Sequence, residues 1–376
     1  MSRTIYTLRP LPGYMTGSDE PVHVRGYGHG HTDGMYQRKQ GGLMEHGGDL
    51  SEAVERFGGP ADTWLDLSTG INPYAYPLPE DLPASAWTRL PAKAAEERLA
   101  TAARLAYRIP DPLGLVTAPG TQVLLSLLPL VLPEGPVAIA TPTYSSHKKV
   151  WVREGREPVE VSSAYALPAD ARIVVLVNPN NPDGRLIDVK SLLEIARTLS
   201  ERGGFLVLDE AFADVMPGAS LLPHLGNENV LVLRSFGKFF GLAGLRLGFL
   251  AGPQEVTARL SGLLESWSLS GPALEIGVAA LRDTSWQDRM NRQLVDEMAD
   301  LTLTLSRHGL SVFGGTPLYA LAGLRNARDM HEALARRRIW TRIFDYAPTW
   351  IRFGLPGGPA NLARLSDALA DAQKEL

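Results

Sequence analysis

The run Ser235-Phe236-Gly237-Lys238-Phe239-Phe240-Gly241-Leu242-Ala243-Gly244-Leu245-Arg246-Leu247-Gly248 sets a lysine among aromatic side chains and follows it with an arginine in a glycine-rich stretch. A lysine taken out of water beside another cation has a lowered pKa and becomes nucleophilic. Read alone, the segment also admits an ordinary solvated lysine. The sequence before it narrows the choice. Asn229 to Arg234 reads as a strand, and Phe205 to Leu208, Ile173 to Val177 and Val137 to Ala140 are further candidate strands. They alternate with helical patterns such as Val189 to Glu201. Alternation of this kind predicts an α/β fold in which helices cover a mainly parallel sheet.

Functional residues of such sheets gather where strands end and loops begin. Ala118-Pro119-Gly120-Thr121-Gln122 precedes an apolar helix. It reads either as a capped helix start or as a place where backbone N–H groups meet a phosphate. Asn178-Pro179-Asn180-Asn181-Pro182-Asp183-Gly184 follows the strand IVVLV as a tight turn whose amides can donate hydrogen bonds. In Leu208-Asp209-Glu210-Ala211-Phe212, Asp209 sits at the end of an apolar strand. An unpaired carboxylate is costly there, so it needs a partner: a structural salt bridge, or the protonated ring nitrogen of a cofactor.

Further out, DLSEAVERFGG from Asp49 reads as a capped short helix, and Trp64 to Leu67 as a strand leading to a turn at Ile71-Asn72-Pro73. After Pro253 a long helical stretch through about His308 precedes shorter elements around Leu318 to Leu324 and Trp350 to Gly354, a second α+β unit. The expected domains are a large one at 72–260 and a small one built from 43–71 and 261–376. Residues 1–42, including RGYGHGHTDGMYQRKQGG, show no period and are expected to form a mobile or peripheral arm. Its His23, His29 and His31 come without a fixed scaffold, so no metal site is expected.

Composition excludes several classes of function. The 376 residues are 44% apolar, with 37 basic and 41 acidic side chains giving a net charge of -4, so nothing draws the chain to nucleic acid or to an anionic membrane. Cysteine is absent, which removes thiol and disulfide chemistry. The longest apolar stretch, Val123 to Leu132, contains Ser126 and Pro129 and falls well short of the roughly 20 residues of a membrane span. No secretory signal is read at the start. The expectation is a cytoplasmic protein with a small-molecule partner.

Taken in order, Gly120-Thr121-Gln122, Tyr144, Asn181-Pro182, Asp209 and Ser235-x-x-Lys238 with Arg246 resemble the class I/II aminotransferase family, from about His46 to the C-terminus. The resemblance implies fold type I and pyridoxal 5'-phosphate (PLP) as cofactor. It further implies that Lys238 holds PLP covalently and shuttles protons, that Asp209 pairs with the ring nitrogen, and that Tyr144 stacks on the ring. Asn181 would bond the phenolic oxygen, while Gly120, Thr121, Gln122, Ser235 and Arg246 complete the cofactor site. Within the family, the chain is most similar to threonine-phosphate decarboxylases of cobalamin assembly, which are akin to histidinol-phosphate aminotransferases. That similarity lies in His46-Gly47-Gly48-Asp49-Leu50, in Asp66-Leu67-Ser68-Thr69-Gly70-Ile71-Asn72-Pro73, and in Arg342 and Arg352. It implies a phosphorylated amino acid substrate, with Arg352 on the carboxylate, Arg342, His46 and Gly47 on the phosphate, and Gly70 and Asn181 beside them, in a homodimer.

Some positions depart from the wider family pattern. Phe212 and Gly70 stand where a tyrosine and an asparagine are common, Gly237 replaces a frequent serine, and Leu90 stands where relatives often carry a tyrosine that reaches the partner subunit's cofactor. The loss of the tyrosine hydroxyl at Phe212 favours decarboxylation. A histidinol-phosphate-type aminotransferase and a non-catalytic PLP-fold binding protein are the alternatives.

Overall fold

The computed structural model describes residues 47–376. The expected arm at 1–42, with His23, His29 and His31, lies outside the described residues, and so does His46. Thirteen strands run through the described residues in chain order: β1 Leu65–Asp66, β2 Leu113–Ala118, β3 Val137–Ala140, β4 Val159–Val161, β5 Ile173–Val177, β6 Phe205–Asp209, β7 Val230–Ser235, β8 Gly248–Pro253, β9 Ser311–Thr316, β10 Tyr319–Gly323, β11 Ile339–Trp340, β12 Arg342–Phe344 and β13 Ala347–Gly354.

The main sheet has the order β2-β8-β7-β6-β5-β3-β4. Its strands pair in parallel from β4 to β7, whereas β8 runs antiparallel to both β7 and β2. All five residues of β5 are buried, as a parallel strand covered on both faces requires. Helix Val189–Glu201 shows how the cover is built. Asp188 caps it by accepting from the Ser191 N–H at 2.9 Å, and Leu192, Ala196 and Leu199 recur at helical spacing along its buried stripe. Helices Thr121–Val131, Ser146–Arg153 and Gln254–Leu263 bring Leu124, Leu128, Trp151 and Leu260 into one core with Val116, Ile139, Val175, Leu231 and Leu250 of the strands. Each fully buried side chain of this size contributes roughly 1.5–3 kcal/mol.

A second, antiparallel sheet has the order β12-β13-β10-β9. Helix Thr284–Arg307 packs on β9 and β10, and helix Ala327–Ala335 on β13. The segment before the main sheet joins this part of the molecule. β1 pairs in parallel with β11, and Trp64 meets Trp340 edge to face at 6.0 Å in a cluster with Ala53 and Ala335. The main sheet lies within 72–260 and the second within 261–376; we propose these, with 43–71 added to the latter, as the two domains.

The helical stretch after Pro253 is divided into three helices, Gln254–Leu263, Gly271–Arg282 and Thr284–Arg307. The Ser270 and Asp283 side chains accept from the N–H groups of Ala273 and Trp286 and so start new helices inside an apparently continuous pattern. The strands β2, β4 and β8 are also unmarked by the sequence pattern. Glycine interrupts β2 and opens β8, and β4 is three residues long and mostly exposed, so none shows a clean alternation.

Candidate active site

All strands of the main sheet but β8 point one way, so a single sheet edge collects six carboxyl ends and the amino end of β8. Gly120, Thr121 and Gln122 follow β2, Tyr144 follows β3, Asn181 follows β5, Asp209 ends β6, Ser235 ends β7 with Lys238 just beyond, and Arg246 precedes β8. All of them line one cavity of about 260 Å³, together with Gly47, Gly70, Arg342 and Arg352. Every expected site residue among the described ones is therefore in one place.

One end of the cavity is built for an anion. Gly120 precedes helix Thr121–Val131 with φ 89°, and a Cβ there would lie 2.6 Å from Arg246 Nη2. Glycine thus lets the guanidinium close on the first-turn N–H groups of the helix, with the Ser235 hydroxyl on the same wall. Arg246 itself is left-handed at φ 53°, a conformation that costs a residue with a side chain about 1–3 kcal/mol and that persists where the surroundings impose it. Gly237 cannot be the serine of the family pattern without movement of the chain, because a Cβ would lie 2.7 Å from Ala243 Cα.

The middle of the cavity is set by Asp209, Lys238 and Tyr144. Asp209 is only 5% exposed; its Oδ1 accepts from the Ala211 N–H at 2.9 Å, and its Oδ2 lies 2.9 Å from His147 Nε2. His147, on helix Ser146–Arg153, is fully enclosed and gives the carboxylate the partner its position demands. Lys238 opens to the cavity while its amine is enclosed, over the face of Phe212 at 5.8 Å. Burial, aided by the charges of Arg352 and Arg246 and opposed by Asp209, lowers that amine to about 8. The Tyr144 hydroxyl donates to Gln122 Oε1 at 3.2 Å, which leaves its ring along the cavity wall.

The far end belongs to the second sheet. Arg342 of β12 lies directly opposite Arg352 of β13. Like charges at such a pair destabilise a sheet unless anions answer them. Arg352, buried at 6% exposure, donates through Nη2 to the Ser68 carbonyl at 2.7 Å and through Nη1 to Asn181 Oδ1, while its buried Nε has no protein partner. Burial, reinforced by Arg342 and opposed by Tyr319, Tyr346 and Asp66, lowers its guanidinium to about 10. Burial also lowers Arg342. Gly47 approaches so closely that a Cβ would lie 2.4 Å from the Ser68 carbonyl oxygen, and Ser68 Oγ accepts from the Gly48 N–H at 3.0 Å. Ser68 thereby ties the Gly47 loop to Arg352. Gly70 is equally constrained, for a Cβ would meet the rings of Phe212 and Tyr319 at 2.8 Å each. The two departures at positions 70 and 212 are one packing solution.

Sequence reasoning missed His147, Ser68 as an anchor, and Phe344 and Tyr346, which also line the cavity. No motif marks His147 within Ser145-Ser146-His147-Lys148-Lys149. Phe344 and Tyr346 flank a hairpin whose strand β12 has only three residues. Among the described residues, no group of three or more His, Cys, Asp or Glu side chains is placed to hold a metal ion.

The donor set fits PLP: a helix start with Arg246 and Ser235 for a phosphate, Asp209 for a ring nitrogen, Tyr144 for a ring face, and an unusually acidic lysine amine for a carbonyl carbon.

Residues 91–369 match the family described as aminotransferase class I and II. A threonine-phosphate decarboxylase of Sinorhizobium sp is 43% identical over 86% of this chain and 97% of its own. One of Pseudomonas aeruginosa is 39% identical over 87% of this chain and 97% of its own. Among solved structures, histidinol-phosphate aminotransferase of Sinorhizobium meliloti in complex with pyridoxal-5'-phosphate shares the fold with a TM-score of 0.73 at 18% identity, covering 82% of this chain and 90% of that one.

Proposed function

The chain belongs to the class I and II aminotransferase family, and on that premise we propose that it is a PLP-dependent carboxy-lyase that converts L-threonine O-3-phosphate to (R)-1-aminopropan-2-yl phosphate and CO2, a step of cobalamin biosynthesis. The bond from Cα to the carboxylate carbon breaks, and a proton takes its place on Cα. Bound PLP supplies an electron sink for the pair left at Cα. The observation that carries the reading is the register of Arg342 with Arg352 across β12 and β13, two guanidiniums that line the same cavity as Lys238. A substrate with two anionic ends answers both.

The remaining residues take roles their positions permit. Gly120, Thr121, Gln122, Ser235 and Arg246 hold the cofactor phosphate and the wall around it, Tyr144 lies on its ring, and Asp209 holds a proton on its ring nitrogen, braced by His147. Asn181 accepts from Arg352 through Oδ1, which leaves the Nδ2 end as donor for the phenolic oxygen. Arg352 takes the substrate carboxylate; Arg342, the Gly47 backbone and His46 take its phosphate, and Gly70 offers only backbone. An amine titrating near 8 is partly unprotonated at neutral pH, so Lys238 can attach to a carbonyl carbon and later move a proton at Cα. Arg352 would fix the direction of the substrate carboxylate, and that direction would decide whether CO2 or a proton leaves Cα.

We also infer a homodimer in the cytoplasm. The exposed apolar side chains Leu78, Trp87 and Leu90 support an interface, and no helix of the described residues is long and apolar enough to cross a membrane. Purified protein with PLP and L-threonine O-3-phosphate, without any keto acid, is expected to release CO2 and aminopropanol phosphate catalytically. Turnover only with histidinol phosphate and 2-oxoglutarate would make it an aminotransferase instead, and a Lys238→Ala variant that kept its biological activity would make it a binding protein.

A further inference from the structure

Tyr319 opens β10 and has no exposed surface. It is absent from the cavity wall, yet it touches the elements that carry the wall's polar groups. Its hydroxyl donates to the Asn180 carbonyl at 2.7 Å, one residue before Asn181. The Arg352 guanidinium lies 5.0 Å from its ring centroid, and the Phe212 ring meets it edge to face at 5.1 Å. The Gly70 backbone closes the third side.

Register explains the arrangement. Leu321 faces Arg352 across β10 and β13, and Tyr319 faces Gly354. Tyr319 and Arg352 are therefore diagonal neighbours, within reach of an aromatic ring and a long side chain. The loop carrying Asn181 also docks on this sheet. Gly315 N donates to the Asp183 carbonyl at 3.0 Å, and a Cβ on Gly184 would lie 1.9 Å from the Gly315 carbonyl oxygen. The Asn181 loop follows β5 of the main sheet, yet it rests on β9 and β10 of the second, and Tyr319 is the side chain that fastens it there. Burial raises the phenol, so it stays a donor throughout the working pH range.

We propose that Tyr319 is a positioning residue that sets the angle between Arg352 and Asn181 and thereby keeps the reaction on decarboxylation. This deepens the function proposed above and rests on it. Arg352 already gives one N–H to Ser68 and one to Asn181, so a carboxylate reaches it only in the direction that the guanidinium plane leaves. The Arg352 guanidinium carbon lies over the Tyr319 ring, 5.0 Å from its centroid, so the ring limits how that group can turn. A guanidinium that turns carries the carboxylate with it, and the bond presented for cleavage changes.

Two variants test this in the holoenzyme. Tyr319→Phe keeps the ring and drops the bond to Asn180; kcat is expected to fall about 5-fold with KM nearly unchanged. Tyr319→Leu removes the ring as well. There KM for L-threonine O-3-phosphate is expected to rise about 10-fold, and the ratio of CO2 released to amino group transferred to an added keto acid is expected to fall. Calorimetry of the cofactor-free protein with L-threonine O-3-phosphate gives a readout apart from turnover: affinity should drop for Tyr319→Leu and hold for Tyr319→Phe. Unchanged kcat in Tyr319→Phe overturns the proposal even if Tyr319→Leu does not fold. So does a folded Tyr319→Leu with the wild-type product ratio, since simple core packing would lower stability without moving that ratio. Absence of CO2 release by the wild-type protein would instead defeat the decarboxylase reading.

Discussion

The main sheet and the second sheet both end at the same cavity, but they handle charge in opposite ways. At the main sheet's edge, charge is answered within the protein: Asp209 has His147 and the Ala211 N–H, and Lys238 is pushed toward neutrality. At the second sheet, Arg342 lies directly opposite Arg352, and burial lowers both. A wall whose carboxylate already has its partners is ready to do chemistry on a bound group, whereas one that sets two guanidiniums opposite each other is suited to recognising anions. The difference teaches a division of labour, with reaction at one sheet and recognition at the other.

The sharpest way to break that division is to remove the amine. Lys238→Ala should lower kcat on the order of 10²–10⁴-fold, as loss of a positioned proton-transfer group does. Affinity of the cofactor-free protein for L-threonine O-3-phosphate should stay within about 3-fold of wild type. Steady-state kinetics and calorimetry on the same preparation check both. A matching collapse of affinity would mean that the two regions do not act separately.

Next in size is the carboxylate anchor. Arg352→Lys keeps a charge but cannot serve Asn181, Ser68 and a carboxylate together, because an ammonium lacks the planar fork. Loss of charge-assisted bonds of this kind costs about 2–3 kcal/mol, so kcat/KM should fall on the order of 30- to 150-fold. Arg342→Gln should act more narrowly, weakening the phosphorylated substrate about 10-fold and leaving unphosphorylated L-threonine unaffected. Equal losses for both substrates would deny Arg342 its phosphate role and erase the contrast within the second sheet.

The two regions also differ in how much of each the sequence shows. Strands β5, β6 and β7 carry apolar runs, and each has its polar residue at its end or within four residues of it, Asn181, Asp209 or Lys238, so order along the chain is enough to assemble that wall. The second sheet offers no such punctuation. Arg342 and Arg352 can be singled out in Arg336-Arg337-Arg338-Ile339-Trp340-Thr341-Arg342 and Trp350-Ile351-Arg352, but their opposition depends on a register fixed only when β12 and β13 pair. Tyr319 donates to the Asn180 carbonyl and Ser68 accepts from Arg352 through its own, and a carbonyl leaves no mark in a sequence. His147 is a lone histidine whose partner is 62 positions away. Contacts of that kind become legible only after the sheet order brings β3 and β6 to one edge.

The smallest expected effect concerns stability rather than turnover, and it tests whether the main sheet's charge is balanced by chemistry or merely enclosed. In the cofactor-free protein the Lys238 amine titrates near 8, against 10.5 in its unperturbed state, chiefly because of burial. Below pH 8 both folded and unfolded chains hold the proton, and the folded chain carries the full cost of an enclosed cation. Between 8 and 10.5 the unfolded chain binds more protons, so this group's contribution to stability rises with pH, and above 10.5 the cost has gone. Lys238→Met removes the cost at every pH. The cofactor-free variant should therefore melt above cofactor-free wild type at pH 7, on the order of a few degrees, and the gap should close as pH approaches about 10. A gap that stays constant across the range would show that packing, and not the charge of Lys238, separates the two proteins.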